Sequence, residues 1–216
     1  MRTGCQWYAL PNDYAPYKTV YDWFAKWTRS GLWGRLLKRL NERVRVRAGR
    51  EPEPSAVIID SQSVKSGGIS EDVGFDGGKG INGRKRHIIV DVLGLLFGVS
   101  VTAASVQDRD EAERIFEALE DDMPRLEKIW ADGGYTGKLA DYLLGCLGWD
   151  LEIITPTKAE SGFHVRPWCW IVERTFGWLT KHRRLSKDYE RTTAASEALI
   201  RVAMIGNMAR RLAQAA

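Results

Sequence analysis

Three carboxylates carry the first chemical suggestion in this chain. Asp60 closes the short apolar run Ala56-Val57-Ile58-Ile59, and Asp132 closes a second, Lys128-Ile129-Trp130-Ala131. Each run reads as a short buried strand. If the two strands are parallel neighbours, both carboxylates emerge at the same carboxyl end of a sheet, where open α/β sheets bind ligands. Two like charges held together out of water cost several kcal/mol unless a cation lies between them. Hard divalent ions with oxygen ligands meet that need. The third carboxylate, Glu173, lies in Trp170-Ile171-Val172-Glu173-Arg174-Thr175-Phe176, on a half-buried helix with an apolar stripe of Val172, Phe176 and Leu179. About 100° from Val172, it stands at the stripe's edge and could project over the sheet end. Three such groups could hold two metal ions roughly 3.5–4 Å apart. One ion would lower the pKa of a water or 3′-hydroxyl and the other would stabilise the leaving oxygen of an in-line displacement at phosphorus.

Spacing alone does not single these residues out. The chain has 28 acidic residues, and Asp91, Asp108, Asp110, Glu152 and Glu160 compete for the same role. An Asp at a strand end is commonly a turn or cap residue. A Glu beside Arg174 is commonly an ordinary helix charge.

The elements that must position the carboxylates follow from periodicity. Two helical patterns open the chain. One places Val20, Trp23, Phe24 and Trp27 on one face and stops at Ser30-Gly31; the other aligns Trp33, Leu36, Leu37, Leu40 and Val44. The second also carries Arg35, Lys38, Arg39, Arg43, Arg45 and Arg47. Two short helices across a Gly turn, one strongly basic, fit either part of a helix-turn-helix or a helical hairpin packed on the main domain. The linker 49–54 divides a helical region, 1–50, from a domain over 51–216. After the first strand, residues 66–85 hold seven Gly and read as irregular loop. Arg86–Val92 and Leu95–Thr102 read as a hairpin turning near Gly94. A helix over 108–120, the Asp132 strand, a helix over 139–147 and a strand over 151–154 follow. Residues 162–167 read as loop, before a long helix over 168–184 and a last one over 196–213. This order predicts an α/β fold, a mixed sheet with helices on both faces, in the order of an RNase H-like core.

Charge is distributed unevenly. Residues 1–50 carry a net +8 and residues 171–216 a net +5, whereas 51–170 carry −9. Basic flanks suit a polyanion, because phosphate contacts release counterions; solvated helix faces are the plainer account. Cys5, Cys146 and Cys169 have neither disulfide-framework nor zinc spacing, and the three His form no metal motif. With no signal core and no apolar stretch long enough for a bilayer, the expectation is a cytoplasmic protein with no membrane partner, in a reducing compartment.

Whole strings then add a resemblance. Ile59-Asp60-Ser61-Gln62-Ser63-Val64-Lys65 resembles the first-aspartate motif of bacterial insertion-sequence transposases, in the IS-five-like branch of the IS-four superfamily. Gly74-Phe75-Asp76-Gly77-Gly78-Lys79 with Gly83-Arg84-Lys85-Arg86-His87 is similar to that family's glycine-rich and basic segment. Trp130-Ala131-Asp132-Gly133-Gly134-Tyr135 resembles its second-aspartate motif. Trp170 through Leu179, continued by Arg183 through Glu190, resembles its glutamate helix. Family members usually have helical sequence before the segment resembling Arg2 to Trp7. Trp168-Cys169 stands where the family typically has a basic pair, and Gly80 where a Lys is common. The resemblance implies an RNase H-like DDE transposase with Asp60, Asp132 and Glu173 on the three catalytic, metal-holding positions. It implies two Mg²⁺ or Mn²⁺ ions, and cleavage and strand transfer at the ends of a mobile element. Double-stranded DNA is the implied partner, as terminal inverted repeats and target, and a homodimer is expected because two ends must meet.

For DNA contact the basic residues Lys79, Arg84, Lys85 and Arg86 are expected near the active site, unless that loop is simply solvated. Arg174, Lys181 and Arg184 recur at helical spacing, and Arg183 and Lys187 lie in the matching string. Trp168, Trp170 and Trp178 could stack on a flipped or terminal base, although Trp170 and Trp178 read more readily as core. Three other readings share these features, one of them a structural protein whose acidic cluster is incidental. A metal-dependent RNase H-like nuclease would lack strand transfer, and a truncated, inactive remnant would only bind DNA.

Overall fold

The structure is a computed structural model that describes residues 3–154 and 168–214. The expected loop over 162–167 and the competitor Glu160 lie outside the described residues. Among the described residues six strands form one mixed sheet: β1 (Ala56–Lys65), β2 (Gly74–Asp76), β3 (Ile81–Asp91), β4 (Leu96–Ala103), β5 (Lys128–Ala131) and β6 (Asp150–Ile153). β1 is central. It pairs antiparallel with β3 and parallel with β5, β5 pairs parallel with β6, and both β2 and β4 pair with β3.

Helices cover both faces, because the strands alternate their burial. Val57, Ile59, Ile89 and Ile129 pack with α3 (Asp108–Glu117) and α4 (Leu139–Tyr142, continued to Leu147 by a wider π turn). Ile58, Ile88 and Val90 pack on the opposite face with α5 (Cys169–Thr180) and α6 (Thr193–Gln214). This is the α/β, RNase H-like arrangement read from the sequence.

The basic N-terminal helices, α1 (Tyr17–Arg29) and α2 (Leu32–Arg47), join that second face. Phe24, Leu37 and Val44 share its core with Leu199, Ala203 and Met204 of α6. Asn41 Nδ2 donates to Leu96 O over 2.6 Å, and buried Arg45 pairs with buried Asp91. Asp91 also accepts from the Leu93 and Leu95 amides, which fixes the β3–β4 turn where Gly94 takes φ +76°. Helices α1 and α2 and the sheet domain therefore share one core.

Three element boundaries differ from expectation. β1 continues through the polar Ser61, Gln62 and Ser63 because β3 pairs with it as far as Lys65. The glycine-rich stretch is partly ordered as β2 and the start of β3, with Gly80 at φ +64° in the turn between them. α5 stops at Thr180, and extended backbone at His182 precedes a separate short turn over Arg183–Leu185.

Candidate active site

Strand register brings the two aspartates together. Ile58 and Trp130 are the last paired positions of the parallel β1 and β5, and Asp60 and Asp132 each lie two residues further on. β5 ends at Ala131, and the chain turns away at Gly133–Tyr135. Alternation directs Asp60 to the face of Ile58, the face covered by α5.

The surroundings show how closely charge is concentrated. Asp60 is pushed up to about 7, first by burial and then by the charges of Asp132 and Asp108; the Ser61 amide, 2.6 Å from Asp60 Oδ1, and the Lys79 ammonium act against this. Asp132 accepts the Gly134 amide over 2.9 Å. A Cβ on Gly134 would stand 3.1 Å from Asp132 Oδ1 and 3.3 Å from Asp108 Oδ2, so the missing side chain leaves these carboxylates a shared hollow. Tyr135 is 1% exposed among the same carboxylates; burial, then Asp60, Asp108 and Asp132, hold its phenol protonated. Its hydroxyl has no well-formed hydrogen bond, although the Ser61 side chain approaches it.

A polar brace adjoins the pair. Lys79 Nζ donates to Ser61 O over 3.0 Å, Ser63 Oγ to Asp76 Oδ2 over 2.5 Å, and Lys85 Nζ lies 3.0 Å from Asp108 Oδ1 and 3.8 Å from Asp76 Oδ2. His87, buried beside Asp108, is lowered to about 4 by burial, so it is neutral at neutral pH. Neither Asp108 nor Tyr135 was singled out by sequence. Asp108 stood among the competing acids, and Tyr135 lay inside the second-aspartate string without a role.

Glu173 is exposed on α5, next to buried Val172. Among the described residues, no group of three or more His, Cys, Asp or Glu is gathered closely enough to hold a metal ion. The structure thus brings two of the three expected carboxylates together and leaves Glu173 outside the pair. The pair fits a divalent cation on its own chemistry: clustered oxygens, excess negative charge, a hollow at Gly134 and a buried hydroxyl with no well-formed hydrogen bond.

The expected DNA-contact residues divide into two groups. Arg84 is 0% exposed, donating to the carbonyls of Glu71, Glu190 and Arg191 and pairing with Asp188. Arg86 is equally buried and donates to Leu185 O and Lys187 O. Lys85 is buried in its pairing with Asp108. Phosphate contact by Arg84 and Arg86 is thereby corrected: they are internal struts that hold the chain after α5 against β3. Arg174 does not share a continuous helical face with Lys181 and Arg184, because α5 ends between them. It lies against the rings of Trp170 and Trp178, 4.5 and 4.9 Å from their centroids. Arg184 turns inward to Glu190 Oε1 and Cys5 O. Lys79, Lys181, Arg183 and Lys187 remain at the surface. Of the tryptophans, Trp168 stacks on Trp130 at 4.7 Å with φ +70°, beside Asp132 in sequence, while Trp178 packs against the core.

Residues 51–208 match the family described as the transposase DDE domain. The chain belongs to the DDE transposases. Residues 1–37 also match a putative transposase of the IS4/5 family. A similar protein is the putative transposase for insertion sequence element IS402 of Burkholderia cepacia, 28% identical over 116 residues, or 50% of this chain and 54% of that one. The chain spans about half the length of this curated relative. Among the described residues, no helix of this DDE transposase is long and apolar enough to cross a membrane.

Proposed function

We propose that this transposase cleaves double-stranded DNA at the inverted repeats of an insertion sequence and transfers the freed ends to target DNA. Asp60 and Asp132 would hold the divalent cations, Mg²⁺ or Mn²⁺, and Glu173 would complete a two-ion site. The observation that carries the reading is the convergence of Asp60 and Asp132 past the last β1–β5 pair, where burial and then the Asp132 charge raise the Asp60 carboxyl to about 7. When bound, the ions supply charge neutralisation at the carboxylates and polarisation of the phosphate and the attacking hydroxyl.

The chain's own groups supply positioning. The β5 turn presents Asp132 on the Gly134 amide, and the Ser61 amide orients Asp60. Lys79 stands beside Asp60 with its ammonium available to a phosphate, and Lys181, Arg183 and Lys187 extend the basic surface beyond α5. Such contacts set the register of DNA without reading its sequence. A homodimer that gathers two DNA ends, in the cytoplasm and on the nucleoid, completes the proposal.

The test is cleavage and strand transfer with the parent element's ends in Mg²⁺, comparing the wild type with Asp60→Asn, Asp132→Asn and Glu173→Gln. Each variant should lose both reactions and keep DNA binding. Cleavage without strand transfer would favour a nuclease. Binding with neither reaction, in the wild type itself, would favour the inactive remnant.

A further inference from the structure

Buried polar atoms beside the aspartate pair lack hydrogen bonds, and two of them belong to uncharged side chains. One is the Tyr135 hydroxyl described above. The other is His87 Nδ1: His87 is fully buried and uses Nε2 on Thr102 Oγ1 at 3.1 Å, but its Nδ1 lies 3.9 Å from Asp108 Oδ1, beyond hydrogen-bond range. A buried polar atom left unsatisfied costs about 1–3 kcal/mol. Ordered water is its usual remedy where the site is polar. Both atoms border Asp108.

Asp108 begins α3 and bridges two parts of the site. Its Oδ1 takes the ion pair with Lys85, which is itself held by Val106 O at 2.8 Å. Its Oδ2 faces Gly134, whose amide holds Asp132. The local charges do not balance. Asp60, Asp76, Asp108 and Asp132 are four carboxylates, whereas Lys79 and Lys85 are two ammonium groups, so full ionisation leaves two negative charges in excess. One divalent cation matches that excess. An acid in the first turn of a helix also favours the helix dipole, but that role leaves the Tyr135 hydroxyl and His87 Nδ1 unsatisfied.

We propose that Asp108 is a positioning residue of the metal centre: Lys85 fixes it, and its Oδ2 orders the water shell of the cation held by Asp60 and Asp132. It acts through that water, since no three acids here are close enough to share an ion directly. The inference rests on the metal-binding reading of the aspartate pair.

The experiment is calorimetric titration of the full chain with Mn²⁺ at pH 8, where Asp60 is mostly ionised, with thermal melting of each variant in parallel. Asp108→Asn should weaken Mn²⁺ binding about ten- to a hundredfold, as loss of outer-shell partners does at other metal sites, with circular dichroism unchanged. Lys85→Met, which frees Asp108 but keeps its charge, should weaken Mn²⁺ binding less than Asp108→Asn does. If Asp108→Asn does not fold, the charge-conserving pair Lys85→Met with Asp108→Asn replaces it, and should bind about tenfold more weakly than Lys85→Met alone. A purely structural Asp108 would lower the melting temperature and leave Mn²⁺ affinity unmoved, which overturns the proposal. Wild-type binding that Asp60→Asn abolishes but Asp108→Asn preserves overturns the role of Asp108 alone. No Mn²⁺ binding by the wild type overturns this inference together with the reading beneath it.

Discussion

Lys79 donates its ammonium to the Ser61 carbonyl over 3.0 Å, tying the β2–β3 turn to the strand one residue past Asp60. The contact puts a cation from a glycine-rich turn beside the most perturbed carboxylate of the site. Gly78 and Lys79 both present their amides to Asp76 Oδ1, a tight turn that aims the lysine inward.

Replacing Lys79 by Met should therefore move Asp60 further above its value of about 7, because the Lys79 charge is among the forces lowering it. Carboxyl carbon NMR of the metal-free chain would follow the titration. In the same variant DNA affinity should fall, and the salt slope should flatten by about 0.9 per lost phosphate contact. An Asp60 titration identical to wild type would place the ammonium away from the carboxylate in solution.

Asp60 also makes stability depend on pH. Its folded pKa, about 7, lies above the ordinary 3.8, so the native chain binds this proton more tightly than the unfolded chain. Stability from this group is then full below pH 4, declines as pH rises to about 7, and is level above that. Without metal, the wild type should lose on the order of a few kcal/mol between pH 4 and 8 from this source. Asp60→Asn should flatten that part of the curve and be the more stable protein at pH 8. Urea denaturation across the range would measure it. An equally steep decline in the variant would assign the pH dependence to other groups.

The pattern of reading and misreading has a physical basis. The two aspartates were visible because each ends a short apolar run, Ala56 to Ile59 and Ile129 to Ala131, as the end of a largely buried parallel strand does. Whether the strands were neighbours was not visible, since pairing is settled by register rather than by local sequence. Arg84 and Arg86 were misread because Gly-Arg-Lys-Arg-His has the composition of a solvated basic loop. Their burial depends on carbonyls about a hundred residues away, at Leu185, Lys187, Glu190 and Arg191. β1 was read short for a related reason: Ser61 to Ser63 are polar, and their strand geometry comes from β3. Asp108 reaches the site only because α3 starts directly after the β4 edge, which no motif around it announces.

Arg84→Met should behave as a core mutation rather than a DNA-contact mutation. It leaves Asp188, 1% exposed, without its ion-pair partner, and leaves the Glu71 and Glu190 carbonyls without their donor, while Arg191 O keeps the Glu71 amide. Breaking one side of such a buried pair costs about 3–5 kcal/mol, so the urea midpoint should fall sharply. Asp188 keeps the Ser196 hydroxyl and the Glu190 amide, which limits the damage. Unchanged stability with reduced DNA affinity would return Arg84 to the DNA surface.

Gly134→Ala tests the convergence of the carboxylates with a single methyl group. Gly134 is exposed, so an alanine there buries nothing new and should alter the melting temperature by no more than a few degrees. The added Cβ would meet Asp132 Oδ1 at 3.1 Å and Asp108 Oδ2 at 3.3 Å, closer than ordinary contact, so both carboxylates must give way by a few tenths of an ångström. A metal site tolerates little such displacement, because its supporting groups must hold the ligands to about 0.5 Å. Mn²⁺ affinity and DNA cleavage should therefore fall together, by tenfold or more, in a chain whose fold is intact. Full metal affinity in Gly134→Ala would show that the hollow between Asp108 and Asp132 is not where the cation sits.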